Sequence, residues 1–152
     1  MRYEIKRAAH FAPLRGNEII AYWIYQLSNI GIFVYLFFLK VRIEISLPFC
    51  AGTVIYFAGL LLCALSMKAF AAPSDDGLNT KGLYGHFRNP MYLSYFLCFT
   101  GCALLTRSLL LFGIVLIFQA AAHWIILSEE RWCIQKLGDT YKQYMKKVRR
   151  YI

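Results

Sequence analysis

Residues 19–39 of the chain read IIAYWIYQLSNIGIFVYLFFL and contain no charged side chain. A helix of about 20 apolar residues crosses a hydrocarbon core of about 30 Å, so this stretch predicts a transmembrane helix. Three further apolar runs follow at residues 47–70, 91–105 and 109–127. The third is short, and we expect it to stand nearly upright, to thin the bilayer or to extend into its flanks. The sequence therefore predicts an all-α membrane protein with about four transmembrane helices.

The composition supports a membrane environment. Hydrophobic residues make up 59% of the chain and charged residues 16%, whereas soluble domains contain roughly 45–50% apolar residues. A soluble domain of 152 residues would leave too much of this apolar surface in water. The net charge of +9 comes from basic residues that flank the apolar runs, where anionic headgroups attract Lys and Arg. We therefore expect contact with lipid and none with nucleic acid.

The polar residues divide this single membrane domain, residues 1–152, into segments. Residues 1–17 form a basic N-terminal segment, residues 71–90 a polar loop and residues 128–152 a polar tail. In the tail, apolar residues recur at helical spacing among Lys and Arg, which predicts an amphipathic helix along the lipid headgroups. These apolar residues are Trp132, Leu137, Tyr141, Tyr144 and Val148.

The distribution of basic residues predicts the orientation of the chain. Four spans place both termini and the loop of residues 71–90 on one side of the membrane. On that side lie Arg2, Lys6, Arg7, Arg15, Lys68, Lys81, Arg88, Arg131, Lys136, Lys142, Lys146, Lys147, Arg149 and Arg150, against Lys40, Arg42 and Arg107 on the other. Because cytoplasmic segments carry the excess of Lys and Arg, we expect both termini in the cytoplasm.

The cysteines do not form a recognisable metal or disulfide pattern. Four of the five lie in apolar runs, where a thiol packs as a small hydrophobic group. Cys98 and Cys102 are one helical turn apart, but no second pair completes a tetrahedral set. We therefore expect no metal site.

Two polar stretches are predicted to meet at the cytoplasmic face. Arg88 directly precedes the third apolar run, whereas Glu129 and Glu130 follow the fourth. Since a helical hairpin joins these runs, the opposite charges must be neighbours. A helix beginning near Pro90 also presents free N–H groups and a positive dipole end, which suit an anion. A simpler interpretation is that Arg88 pairs with Glu130 and only pins the hairpin.

A motif in these stretches favours a function. Residues 82–92 read G-x-Y-x-x-x-R-N-P-x-Y, Glu129 and Glu130 follow, and residues 137–144 read L-G-x-x-Y-x-x-Y. This pattern resembles the isoprenylcysteine carboxyl methyltransferases and the related phospholipid methyltransferases. It covers residues 82–152, nearly half of the chain. Three features depart from the family pattern: Asn89 replaces a His, Leu83 replaces a Pro, and a Pro near the end is absent.

The resemblance implies S-adenosylmethionine as the methyl donor. It carries the family's cofactor contacts onto Tyr84, Arg88, Asn89, Pro90, Tyr92, Glu129 and Glu130. Arg88, Glu130 and His86 are the candidate catalytic residues. Asn89 keeps the hydrogen-bonding capacity of the His that it replaces. The missing Pro weakens the inference for the part of the tail that contacts lipid.

The methyl acceptor is expected to be embedded in the membrane. Methyl transfer from a sulfonium is an in-line displacement, which depends mainly on alignment of donor and acceptor. A carboxylate acceptor is already ionised, whereas an amine must lose a proton to a base such as Glu129, Glu130 or His86. We favour a carboxylate of a prenylcysteine-like or other lipidic molecule slightly over a phospholipid amine.

Two other functions remain open at this point. The chain could be an NADPH-dependent sterol-type reductase, since the C-terminal layout is similar, although those proteins are typically larger. It could also be a non-catalytic protein that binds lipid or the helices of a partner.

Two further groups of polar residues are interpreted structurally. His123 lies within the fourth run, seven residues before Glu130. A His inside a membrane span is a candidate functional residue, but we favour a hydrogen-bonded role in packing. The basic residues at the end of the tail are expected to lie at the lipid surface. These are Lys146, Lys147, Arg149 and Arg150.

Overall fold

The computed structural model describes residues 12–71 and 78–151. Most of the predicted N-terminal segment (residues 1–11), the middle of the predicted loop (residues 72–77) and Ile152 lie outside the described residues. The described part contains the helices α1 (Asn17–Phe38), α2 (Leu47–Ala71), α3 (Pro90–Thr106), α4 (Leu109–Leu137) and α5 (Asp139–Lys147), with a short 3₁₀ turn (Gly82–Gly85) before α3.

Three of these helices have the length and composition of membrane spans. Helices α1, α2 and α4 are long and apolar enough to cross a bilayer, and α3 is a shorter apolar helix of 17 residues. Helix α3 rises about 26 Å, close to the thickness of the hydrocarbon core. Large side chains such as Phe37, Val54 and Leu61 are exposed on the outside of the bundle, as lipid contact requires. The predicted all-α membrane fold is confirmed.

Helix α4 is longer than the apolar run that predicts it. It continues ten residues beyond Leu127, to Leu137, and ends where Gly138 adopts a φ of +57°. Glu, Gln, Lys and Leu are good helix formers, so the chain stays helical after it becomes polar, and glycine tolerates the left-handed conformation that stops it.

This continuation corrects two expectations about the C-terminal part. Glu129 and Glu130 lie within α4 and not after its end. The tail is also not one amphipathic helix that starts at residue 128, because Trp132 and Leu137 belong to α4 and only Tyr141 and Tyr144 lie on α5.

Helices α2 and α3 pack with their backbones in close approach. A Cβ atom added at Gly101 of α3 would lie 2.7 Å from both the Cβ and the main-chain N of Tyr56 on α2. A Cβ atom added at Gly59 of α2 would lie 2.7 Å from the main-chain N of Cys98. Small residues allow membrane helices this proximity, and it sets the position of the start of α3.

Helix α1 packs on α4 through an aromatic and aliphatic core. Tyr25 of α1 stacks on Phe118 of α4 with ring centroids 4.6 Å apart, and Phe99 of α3 meets the same ring edge-on at 5.4 Å. Ile32 and Leu111 are fully buried in this cluster. The core therefore joins α1, α3 and α4 across the middle of the bundle.

An ion pair joins α1 to α4 at the end of the bundle where α3 begins. Arg131 donates two hydrogen bonds of 2.6 Å to the carboxylate of Glu18, and the main-chain N of Arg15 donates a third at 2.8 Å. The start of α1 is thus held beside the paired glutamates of α4. The starts of α1 and α3 and the polar part of α4 lie at one end of the molecule.

Candidate functional site

Arg88 and Glu130 meet at this end, as the hairpin geometry predicts. Arg88 precedes α3 by two residues and Glu130 lies in the polar part of α4. The Nη2 atom of Arg88 is 3.5 Å from Oε1 of Glu130, and only 8% and 5% of the two side chains are exposed. The two predicted site residues therefore form a buried pair of opposite charge.

Several donors in this corner lack a protein partner. Within residues 12–71 and 78–151, the Nε and Nη1 atoms of Arg88 and the Nδ2 atom of Asn89 are buried and have no hydrogen-bond partner. Buried donors are almost always paired, because leaving one unpaired costs about 1–3 kcal/mol and more when it is charged. Three such donors on adjacent residues could bind an acceptor group of a ligand.

The start of α3 leaves the Asn89 amide available. Asn89 is the N-cap residue of α3 and Pro90 is the first helical residue. Asparagine at this position commonly accepts a hydrogen bond from the first turn, but here its side chain makes no capping bond. The first turn therefore also keeps N–H groups directed away from the helix.

Tyr92 and Glu129 form a second polar contact on the membrane side of this corner. The hydroxyl of Tyr92 donates a hydrogen bond of 2.9 Å to Oε1 of Glu129. Since Glu129 and Glu130 are adjacent on α4, the two predicted carboxylates lie next to each other but have different partners.

Tyr84 anchors the loop before α3. Its ring is 6.4 Å from Phe70 of α2, and its carbonyl accepts a hydrogen bond from the hydroxyl of Tyr144 on α5. The side chain is buried, and this burial raises the pKa of its phenol. The predicted cofactor contact at Tyr84 is thus a residue that joins the loop to α2 and α5.

His86 lies apart from the Arg88 and Glu130 pair. It is exposed, its Nδ1 atom is 3.4 Å from the carbonyl of Gly82, and its ring is 6.4 Å from that of Phe87. Both contacts lie within its own turn of the loop.

The prediction that Arg150 lies at the lipid surface is wrong. Its Nη2 atom donates a hydrogen bond of 2.7 Å to Oε2 of Glu130, and its Nε atom is 3.1 and 3.2 Å from the two carboxylate oxygens. These bonds raise the pKa of the Arg150 guanidinium. Lys146, Lys147 and Arg149 are exposed, so contact with lipid headgroups stays a prediction for those three.

The rest of the C-terminal segment, Val148–Tyr151, folds back along the site. The main-chain N of Arg88 donates to the carbonyl of Arg149 at 2.9 Å. The Tyr151 hydroxyl is 2.8 Å from Nδ1 of His123, and their rings stack at 6.0 Å. His123 therefore has the hydrogen-bonded packing contact expected of it. The amphipathic pattern of the tail does not predict the return of this segment, which begins 18 residues beyond Glu130.

A narrow slot lies between α1 and α3. Its volume is about 240 Å³, and it is lined by Tyr25, Asn29, Phe33, Tyr95 and Phe99. Phe33 is 61% exposed on the outside of the bundle. At the other end, the ring of Tyr25 lies 6.3 Å from that of Tyr92, which holds Glu129.

The family model for phospholipid methyltransferases matches residues 64–140, half of the chain. The chain belongs to the phospholipid methyltransferase family. The matched region of this phospholipid methyltransferase family member runs from α2 to the start of α5, and it includes the loop before α3 and the paired glutamates. The resemblance recognised in the sequence is therefore confirmed.

A comparison with individual proteins agrees with the family match. The protein-S-isoprenylcysteine O-methyltransferase of Schizosaccharomyces pombe is 36% identical over 77 residues. The alignment covers 49% of this chain and 32% of that protein, so the chain matches about a third of the length of its relative. No solved structure matches the chain.

Proposed function

We propose that this protein transfers a methyl group from S-adenosylmethionine to an acceptor embedded in the membrane. Membership of the phospholipid methyltransferase family supports methyl transfer. The observation that carries the proposal is the buried Arg88, whose Nε and Nη1 donors, like the neighbouring amide of Asn89, have no partner in the part of the chain that the structure describes.

The donors and acceptors of the corner complement the polar groups of S-adenosylmethionine. The donor molecule has a carboxylate, an ammonium group and two ribose hydroxyls. Arg88 and Asn89 can donate charge-assisted hydrogen bonds to the carboxylate, and the start of α3 adds a positive dipole end. Glu129 and Glu130 can accept from the ammonium or the hydroxyls. Pro90 and Tyr92 follow in the same turn and would complete the cofactor-binding set with Tyr84.

The catalytic task of these residues is alignment. When bound, S-adenosylmethionine supplies an electrophilic methyl group on a sulfonium. Arg88 and Glu130 would hold the amino-acid part of the donor in place, so that the acceptor approaches along one line. A carboxylate acceptor needs no base, because it is already ionised. An amine acceptor would need a base, and Glu129, Glu130 and the exposed His86 remain the candidates.

The slot between α1 and α3 supports an acceptor with a hydrocarbon chain. Its volume of about 240 Å³ is smaller than the ~300–1,000 Å³ of pockets that hold whole drug-sized ligands. It would therefore take one chain rather than a complete lipid. Because its inner end adjoins Tyr92, a chain in the slot would place its polar end near Glu129.

Donor binding to the purified protein in detergent tests the proposal. We expect radiolabelled S-adenosylmethionine to bind in a saturable manner. NADPH should not displace it at concentrations up to the millimolar range. Binding of NADPH alone would instead support the sterol-type reductase. Binding of neither would support a lipid- or helix-binding protein without catalysis.

The identity of the acceptor can be read from the chemistry of the product. The protein, labelled donor and either prenylcysteine analogues or extracted membrane lipids would be incubated together. A methyl ester releases its label as methanol in base, whereas an N-methyl group keeps it. We expect base-labile label on the prenylcysteine analogues. Stable label in the phospholipid fraction alone would show that the acceptor is an amine.

We also propose that both termini lie in the cytoplasm. The basic residues counted in the sequence support this orientation, and those described at the α3 start and in α5 lie at the same end of the molecule. A reporter fused after Ile152 should respond from the cytoplasmic side, whereas a tag inserted beside Ile45, between α1 and α2, should respond from the other side. The reverse pattern would contradict the proposed orientation.

A further inference from the structure

The geometry points to Arg150 as a positioning residue, which holds Glu130 so that Arg88 keeps its donors free for the amino-acid part of the donor molecule. This inference rests on the proposed function and adds to it a residue that is not among the cofactor contacts carried over from the family. It also assigns different tasks to the two arginines that approach Glu130.

The distances distinguish the two arginines. Arg150 makes three hydrogen bonds of 2.7 to 3.2 Å to the Glu130 carboxylate. Arg88 approaches the same carboxylate only through Nη2, at 3.5 Å, which is too long for a good hydrogen bond. Glu130 is therefore held by Arg150. Arg88 lies within range of the negative charge of Glu130, but its Nε and Nη1 atoms have no partner among the described residues.

The effect of removing Arg150 follows from the burial of Glu130. Only 5% of the Glu130 side chain is exposed, so its charge requires a hydrogen-bonding partner. Without Arg150, the nearest guanidinium among the described residues is that of Arg88. We expect Arg88 to turn onto Glu130 in a two-point pair, as arginine and carboxylate groups commonly do. Because Nη2 already faces Glu130, such a pair would take one of the two free donors of Arg88 away from the ligand.

The surrounding chain holds Arg150 in place without its side chain. The carbonyl of Arg149 accepts from Arg88, and Tyr151 contacts His123. Val148 is buried against Tyr141 and Tyr144 of α5. Because these contacts flank Arg150 on both sides, a substitution of Arg150 changes the guanidinium and leaves the backbone of the segment anchored.

The test compares two nucleosides that differ in the amino-acid part. S-adenosylhomocysteine carries the carboxylate and ammonium groups, whereas 5′-methylthioadenosine lacks both. Binding of each would be measured by titration calorimetry in detergent for the wild type, Arg150→Gln and Lys147→Gln. Lys147 is exposed and also basic, so Lys147→Gln is the matched control for the loss of one positive charge.

We expect Arg150→Gln to lower the affinity for S-adenosylhomocysteine by about tenfold or more, which corresponds to the loss of one charged hydrogen bond. The affinity for 5′-methylthioadenosine should stay within about twofold of the wild type. The ratio of the two affinities should therefore fall in Arg150→Gln and stay unchanged in Lys147→Gln. A general loss of structure would weaken both nucleosides together.

Rescue experiments give an independent measure. Arg150→Lys keeps the charge without the fork and should recover part of the affinity. The Arg150 side chain is 30% exposed, so methylguanidinium added to Arg150→Ala can reach the site and should restore binding of S-adenosylhomocysteine.

Three outcomes would overturn the assignment. An unchanged affinity ratio in Arg150→Gln, or a parallel loss for both nucleosides without rescue, would show that Arg150 does not position Glu130 for the ligand. Failure of the wild type to bind either nucleoside would overturn the proposed function itself, together with the role inferred for Arg150.

Discussion

Replacing Arg88 by alanine is expected to lower the affinity for S-adenosylmethionine by at least about a hundredfold. The Nε and Nη1 atoms of Arg88 are two of the three buried donors of the site that have no partner among the described residues, and hydrogen bonds to charged groups contribute about 1.5–3 kcal/mol each. The loss of two such bonds corresponds to about two decades of affinity or more. Equilibrium binding of radiolabelled donor in detergent measures the change.

The fold should tolerate this substitution. Glu130 keeps the hydrogen bonds from Arg150, so removal of Arg88 does not leave a buried carboxylate without a partner. We therefore expect membrane insertion and the thermal midpoint of Arg88→Ala to remain close to those of the wild type.

Two further variants make the result specific. Lys81→Ala removes a positive charge from an exposed residue of the same loop and should bind the donor as the wild type does. Arg88→Lys keeps the charge but loses the planar fork, and it should fall between the wild type and Arg88→Ala. Unchanged donor affinity in Arg88→Ala would remove Arg88 from the site and would leave it only the role of pinning the hairpin.

Gly101→Ala is expected to produce the largest loss of stability from a single methyl group. The added Cβ would lie 2.7 Å from the Cβ and N atoms of Tyr56 and 2.8 Å from its Cα. Main-chain atoms cannot rotate away, so α2 and α3 must separate. Overpacking of this kind costs about 1–3 kcal/mol. Thermal unfolding in detergent, monitored by size-exclusion chromatography, should show a midpoint clearly below that of the wild type.

Gly113→Ala is the matched control for this substitution. Gly113 lies in the interior of α4, and a Cβ atom added there meets nothing within 4 Å. Both substitutions gain the same helix propensity, so the difference between their midpoints measures the clash. A Gly101→Ala protein as stable as Gly113→Ala would show that α2 and α3 do not pack this closely.

Much of the architecture follows from local patterns in the sequence. The apolar runs at residues 19–39 and 47–70 predict α1 and α2 within about two residues at each end, because an apolar run long enough to cross lipid has few alternatives to a helix. The hairpin of α3 and α4 also predicts that Arg88 approaches Glu130, since a short turn leaves the two helices little choice of neighbour.

The end of α4 was decided by two sequence patterns that disagree, the hydropathy and the run of helix-forming residues. The polar pattern of residues 128–137 predicts the beginning of a separate surface helix, but these residues extend α4 to Leu137. Hydrophobicity changes at Ser128 because the chain leaves lipid, whereas the helix ends only where a glycine permits a positive φ. A change of solvent and the end of a helix are separate events, and the hydropathy pattern reports only the first.

The sequence by itself determined the membrane fold, the family motif and the set of polar residues at one end of the bundle. Only the tertiary structure decided how those polar residues share their hydrogen bonds: Arg150 holds Glu130, Arg88 keeps two unpaired donors, and His86 stays in its own turn. The reason is physical. Helix periodicity and lipid exposure act through residues a few positions apart, whereas the partner of a buried charge depends on which distant segment folds back to reach it.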